Sequence, residues 1–459
     1  MTFTQGLLRA RSHIVFLLGL VAAFGTVIAL ERAEFQQTEA PALVIEETAD
    51  LAMGAPSPLS QTEMAWARIA WTYFENNLQE NGLVNSVDGY TATTLWDTAS
   101  YMMGLISARR LGLIDDGTFH GRMGTLLDTL ETLPLFDGKL PNKSYNTVTG
   151  AMVDYNNRPT ERGIGWSAID IGRILTPMNI LVWNHPRHTQ RVAAILSAWD
   201  FEALIQDGSL YGAALDDDEE ILLLQEGRVG YEQYAAKSLA LMGLDVTRAL
   251  SYTAFLDFVD VFGVMVPHDS RDPEIYHAHN YVVSEPYILD ALEYGWDETS
   301  REFAYRVFTA QQRRFEATGT LTAVSEDNID TAPWFVYNTV FTDGKIWNCI
   351  TEAGEDASAF KSLSTKAAFG WHCIFDTDYT RRLMTAVAGL NDPAKGWYSG
   401  LYEKSGSPNK AITCNTNAIV LESLCRKQTG KLVAIHGTSK AKESEPQTAV
   451  RLHPEGETP

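Results

Sequence analysis

The chain has 459 residues, 45% of them hydrophobic, which is enough apolar material for one large core without a forced division into domains. Its formal net charge of −22, with no Lys/Arg cluster in the body, excludes a nucleic-acid partner, because a polyphosphate would be repelled. A neutral substrate such as a glycan is compatible with that surface.

Residues 1–35 read as a signal anchor. Arg9 and Arg11 precede an apolar run from Ile14 to Leu30 that is able to span a bilayer. The junction Ala29-Leu30-Glu31-Arg32-Ala33 is a poor cleavage site, so the run at 14–30 is expected to remain in the inner membrane. The N-terminus would then be cytoplasmic and the body periplasmic. Residues 36–60 are rich in Ala, Pro, Glu, Thr and Ser and are expected to form a flexible linker. Residues 61–430 would be the folded domain and 431–459 a disordered tail.

Within the body a helix, loop, helix unit recurs. Its loops open with Gly82-Leu83-Val84-Asn85, Gly138-Lys139-Leu140-Pro141, Gly208-Ser209-Leu210-Tyr211, Gly263-Val264-Met265-Val266, Gly319-Thr320-Leu321-Thr322 and Gly396-Trp397-Tyr398-Ser399. The first helix of each unit is amphipathic: at 62–78 the residues Trp66, Ile69, Ala70, Tyr73 and Phe74 make one apolar stripe. Comparable segments follow at 118–132, 189–205, 247–260, 299–315 and 378–390. The second helix is apolar nearly all round, at 94–111, 164–181, 231–243, 285–294, 364–375 and 416–426, and must therefore be buried on every side. This alternation of outer and inner helices predicts an all-α (α/α)6 toroid. Long loops and short β-hairpins would gather on one face, over the N-terminal ends of the inner helices, and loops of that length are usually functional.

The four cysteines, Cys349, Cys373, Cys414 and Cys425, are too few to hold so long a chain together. Cys414 and Cys425 cannot pair if one helix carries both, since eleven helical residues separate them by about 16 Å. The pair in His277-Ala278-His279 lacks further ligands at a known spacing, and Asp216-Asp217-Asp218-Glu219-Glu220 reads as a solvated acidic run. No metal or cofactor is expected.

Acids recur at the inner-helix starts, as Asp97, Asp170, Glu232 and Glu285, and the loops add Asp154, Glu226, Asp269, Glu326, Asp327 and Glu403. Cleaving an acetal requires a proton donor for the leaving oxygen and a second carboxylate to act on water or the sugar. A carboxylate in a first helical turn also caps free N–H groups, and Thr94 with Asp97 has that spacing. Glu285 stands apart because it precedes Pro286, whose restriction on the backbone can aim the side chain away from the helix. The expected acid/base pair is Glu285 with Glu232, followed by Asp97. Arg162, His279, Asn280, Asp327, Lys366 and Glu403 would contact the substrate, and Trp166, Tyr281 and Trp397 would stack on sugar faces.

The strings Thr94-Leu95-Trp96-Asp97-Thr98-Ala99-Ser100, Gly163-Ile164-Gly165-Trp166-Ser167-Ala168, Gly230-Tyr231-Glu232-Gln233-Tyr234 and Ala278-His279-Asn280-Tyr281-Val282-Val283-Ser284-Glu285-Pro286-Tyr287 carry a family resemblance. So do Ser325-Glu326-Asp327-Asn328-Ile329-Asp330 and Gly396-Trp397-Tyr398-Ser399-Gly400-Leu401-Tyr402-Glu403. From about residue 60 to 430 the chain resembles a family of exported bacterial proteins catalogued as the domain of unknown function DUF3131, associated with glucoamylase-like (α/α)6 toroids. The resemblance implies a link to β-glucan or exopolysaccharide processing and supplies no catalytic residues. The expectation is a membrane-tethered glycoside hydrolase or transglycosylase acting on a bacterial glucan or exopolysaccharide. The alternative is a non-catalytic glycan-binding or scaffold partner of the polysaccharide-synthesis machinery.

Overall fold

The structure, a computed structural model, describes residues 53–435 without Asp217 and His277, and Phe24 further upstream. The rest of the expected anchor, the linker before Met53, the tail beyond Ile435 and the first histidine of the His277-Ala278-His279 run lie outside the described residues. Among the described residues no helix is long and apolar enough to cross a membrane.

In chain order the helices pair as Gln61–Asn77 (α1) with Leu95–Arg110 (α2), Asp116–Thr132 (α3) with Ala168–Asn184 (α4), and Thr189–Ser197 (α5) with Tyr231–Leu241 (α6). They continue as Thr247–Leu250 (α7) with Glu285–Glu293 (α8), Glu298–Thr318 (α9) with Thr365–Ile374 (α10), and Asp378–Val387 (α11) with Cys414–Thr429 (α12). The even-numbered helices form the inner ring: each packs on the next, and α12 returns to α2. Their apolar residues are buried around most of the circumference, as in α2, where Leu95 and the whole run from Thr98 to Ala108 are buried. Caps set the outer-helix starts: Ser60 and Glu63 make a capping box on α1, and Asp115 and Asp297 cap α3 and α9.

Beneath the loop face, Arg173 of α4 is fully buried and paired with Glu293 of α8 and Glu422 of α12, the latter at 3.1 Å. One cation thus ties three inner helices together. Its guanidinium also lies 5.2 Å from the ring of Trp96 at the start of α2.

The outer-to-inner connections are long, at 78–94, 133–167, 198–230, 251–284, 319–364 and 388–413, while the returns are short. All six repeat glycines have positive φ, from 67° at Gly138 to 134° at Gly396. At Gly82 a Cβ would also lie 2.7 Å from the Leu126 nitrogen, so only glycine fits the turn. The loops carry small antiparallel sheets, three of them built on Asp207-Gly208, Phe262-Gly263 and Asp343-Gly344 turns with both residues at positive φ, the conformation that matches strand twist.

The segment 247–260, expected to be an outer helix, is helical only over α7 and then forms the strand Leu256–Val261, paired with Val264–Asp269. The alternation Leu256-Asp257-Phe258-Val259-Asp260-Val261 has the period of a strand, and it prevails over the helical reading. Likewise the helix expected over 189–205 stops at Ser197, and Asp200 caps a separate turn, Phe201–Leu204. The last linker residues are not free: Met53 bridges Phe375, and the nitrogens of Gly54 and Ser57 donate to the carbonyls of Ile374 and Lys427. The tail starts later than residue 431, because Leu432 and Val433 are buried and donate to the carbonyls of Leu292 and Glu293. Cys414 and Cys425 both lie on α12, and all four cysteines are free and buried.

Candidate active site

The site face is built from inner-helix starts. Ser167 caps α4 and accepts from the Asp170 nitrogen at 3.2 Å, which places the Asp170 carboxylate over the first turn, half-buried. One Asp170 oxygen accepts from Ser167 Oγ at 3.1 Å and the other from the Trp96 backbone N–H at 3.4 Å. Glu226, at the end of the 205–225 hairpin, reaches across to the same helix start, where it accepts from the N–H groups of Ala168 and Ile169. Two carboxylates therefore meet at one helix N-terminus, whose free donors and dipole favour negative charge.

Their environments differ. Burial and the charge of Glu226 push the Asp170 acid up to about 7, against the hydrogen bonds from Ser167 and Trp96. Glu226 is raised by burial and pulled back by Lys143 and by its two backbone donors. Asp97 is also raised by burial, against hydrogen bonds from Ser86 and Thr94. It accepts from Thr94 Oγ1 at 3.0 Å, the capping geometry anticipated for it.

The adjoining part of the site is a buried ion cluster. Glu285, 1% exposed, accepts from the Trp96 indole N–H at 3.1 Å and from Asn415 Nδ2 at 2.8 Å, and it forms an ion pair with Lys366. Lys366 also lies 3.7 Å from Asp327. Burial pushes Asp327 and Glu326 up to about 7 against the pull of Lys366. The lysine, although burial disfavours its charge, is held above its ordinary range by Glu285, Asp327 and Glu326. Rings line the approach: Trp96 meets Tyr231 edge-on at 5.5 Å, and Tyr281 stacks on Tyr337 at 4.5 Å. Tyr155 is 55% exposed.

Of the residues expected at the site, Glu285, Asp97, Tyr281, Asp327 and Lys366 are brought together here. Glu285, expected as acid or base, is buried and bonded to three donors. Glu232 is turned elsewhere: it accepts from Arg271 at 3.0 Å, and Arg271 in turn holds Asp269 at 2.6 Å. Glu285 and Glu232 are thus each engaged by a different cation, Lys366 and Arg271. Position in a first helical turn does not fix a side chain's direction, and the nearest arginine decided it for Glu232.

Trp166 and Trp397 are buried, at 1% and 0% exposure, and serve the core instead of a sugar face. Trp166 donates to the Tyr211 carbonyl, and Trp397 packs between Trp66 and Phe369. Glu403 makes a two-pronged pair with Arg314 of the outer helix α9, at 2.6 and 2.9 Å. Asn280 is buried between the Asp269 carbonyl and the Asp343 N–H. His279 binds Asp343 at 2.7 Å, and exposed Arg162 clips the Glu219 carbonyl and Asp137. Asp170 and Glu226 were visible only as two acids among ten, and Asn415 had no sequence signal beyond its place at an inner-helix start.

The structure is similar to a candidate glucoamylase from Bacteroides caccae ATCC 43185, with a TM-score of 0.57 at 11% identity over 81% of this chain and 94% of that one. It is similar to the endo-beta-1,2-glucanase from Chitinophaga pinensis, solved with sophorotriose and glucose (TM-score 0.56, 10% identity, 82% and 94% covered). A third is the endo-beta-1,2-glucanase from Talaromyces funiculosus, solved as a variant with beta-1,2-glucan (TM-score 0.53, 13% identity, 81% and 85% covered). At such identities the likeness establishes a shared fold. No curated protein matches the sequence. The family model described as "Protein of unknown function (DUF3131)" matches residues 65–430, and the chain belongs to that family.

Proposed function

We propose that the protein is a glycoside hydrolase that cleaves a glucan at the Asp170–Glu226 pair. The observation that carries this reading is the pair itself: two half-buried carboxylates coupled by charge at one helix start, with Trp96, Tyr155 and Tyr281 near them and Asp170 raised to about 7. Burial raises both acids, and Asp170 is raised further by the charge of Glu226, which makes it the proton carrier in this reading. Asp170 carries the proton and gives it to the glycosidic oxygen as the C–O bond breaks. Glu226, raised by burial but drawn toward its charged form by Lys143 and two backbone donors, is the second carboxylate, acting at the anomeric carbon either as base toward water or as nucleophile.

Glu285 is a positioning residue. Through the two nitrogens of Trp96 it is linked to Asp170: the indole N–H bonds Glu285 and the backbone N–H bonds Asp170. Lys366 and Asn415 hold Glu285 in turn. A neutral polymer suits a cleft with this many acids, and the beta-1,2-glucan complexes of similar folds favour a β-1,2-linked glucan as substrate. The apolar run at 14–30 supports a protein tethered to the inner membrane with this domain on the periplasmic side.

The test is to incubate the full chain with β-1,2-, β-1,3- and α-1,4-glucans and follow released oligosaccharides. Release from the β-1,2 polymer is expected. A protein that binds a glucan and releases nothing would instead be a scaffold.

A further inference from the structure

Glu232 and Arg271 line a cavity of about 480 Å³, within the range of small-ligand sites, whose walls include neither Asp170 nor Glu226. Its walls come from the hairpin through Tyr211 and Gln225, from Arg248 of α7, and from Ser251, Tyr252 and Phe255 of the following loop. Arg271 is 3% exposed, with its guanidinium 4.4 Å from the Phe255 ring centre and clamped by Asp269 and Glu232. Its Nη1 has no hydrogen-bond partner among the described residues. A buried guanidinium nitrogen left unpaired is costly, and it marks the Arg271 side of the cavity as a wall with donor capacity to spare.

The lining is close to neutral, since Arg271 and Arg248 are balanced by Glu232 and the adjacent Asp269. It joins aromatic surface (Tyr211, Tyr252, Phe255) to donors and acceptors on the same walls. A small anion would meet the Glu232 carboxylate and an Arg271 already neutralised by Asp269, and an apolar ligand would strand the polar groups. A sugar ring uses both, with C–H faces on rings and hydroxyls on Arg and Glu.

We propose that this cavity is a second saccharide site that takes a neutral glucosyl unit, separate from the Asp170–Glu226 cleft. The choice of glucose rests on the glucan reading of the cleft, but binding here requires no cleavage. The site would hold a branch or a distant part of the same polymer.

The experiment titrates sophorose into the full chain carrying Asp170→Asn, with and without Ala254→Trp, which places a large ring in the cavity mouth from an exposed lining position. Two binding events are expected without the tryptophan and one with it. Thr247→Trp, at another exposed lining position, is to give the same loss, and Arg271→Lys, which removes the planar fork, is to weaken the second event at least tenfold. Circular dichroism checks that each variant folds. A stoichiometry that both tryptophans leave unchanged, or no second event at all, overturns the proposal. If wild type cleaves no glucan yet the tryptophans abolish a binding event, the cleft reading fails and this one stands. If cleavage occurs and the stoichiometry is insensitive, the reverse holds.

Discussion

Two kinds of buried acid sit side by side on the loop face. Asp170 and Glu226 are half-buried and hydrogen-bonded to neutral donors, with Lys143 acting on Glu226 through charge alone, whereas Glu285 and Glu232 are nearly sealed and each is tied to a cation, Lys366 and Arg271. All but Glu226 occupy the first turn of an inner helix, so helical position does not separate working acids from structural ones. The difference lies in the partner: Glu285 and Glu232 are each locked to a buried cation, while Asp170 is raised by burial and by the neighbouring Glu226 and has no cation of its own among the described contacts.

The comparison can be broken in several ways. Asp170→Asn or Glu226→Gln is expected to lower the turnover of a glucan by about 10²–10⁴-fold with the thermal unfolding midpoint nearly unchanged. A loss of stability in place of turnover would move the two acids to the structural class. Lys366→Met leaves Glu285 and Asp327 without their cation and is expected to cost about 3–5 kcal/mol in urea unfolding, the range for breaking a buried pair. Trp96→Phe removes the indole N–H bond to Glu285, a charge-assisted bond worth about 1.5–3 kcal/mol, and should appear mainly in kcat if Trp96 aligns Asp170. The smallest effect is the pH profile. Asp170 must be protonated to act and is raised to about 7, so turnover should fall about tenfold per pH unit above 7; a flat alkaline limb would remove it as the acid.

Much of the fold was legible because it rests on periodicity. The glycines after each outer helix marked turns that need positive φ, and the wholly apolar segments marked the inner ring, because no other environment tolerates them. The reading failed at 247–260, where a strand's alternation was taken for a helical stripe. The site was legible as a face and not as a set of residues. Trp166 and Trp397 show why: an aromatic beside a glycine-rich loop packs inward as readily as outward, and nothing local decides which. Glu285 is singled out in the sequence by Pro286, but its three donors come from α2, α10 and α12, partners that only the closed ring brings together.

The most direct test is to measure the rate of glucan cleavage by the full chain carrying Asp170→Asn beside the same chain carrying Glu232→Gln. Asp170→Asn should lose almost all turnover while still binding the polymer, and the effect of Glu232→Gln should be smaller by at least about tenfold. Turnover that survives in Asp170→Asn and disappears in Glu232→Gln would contradict the assignment of the working acids.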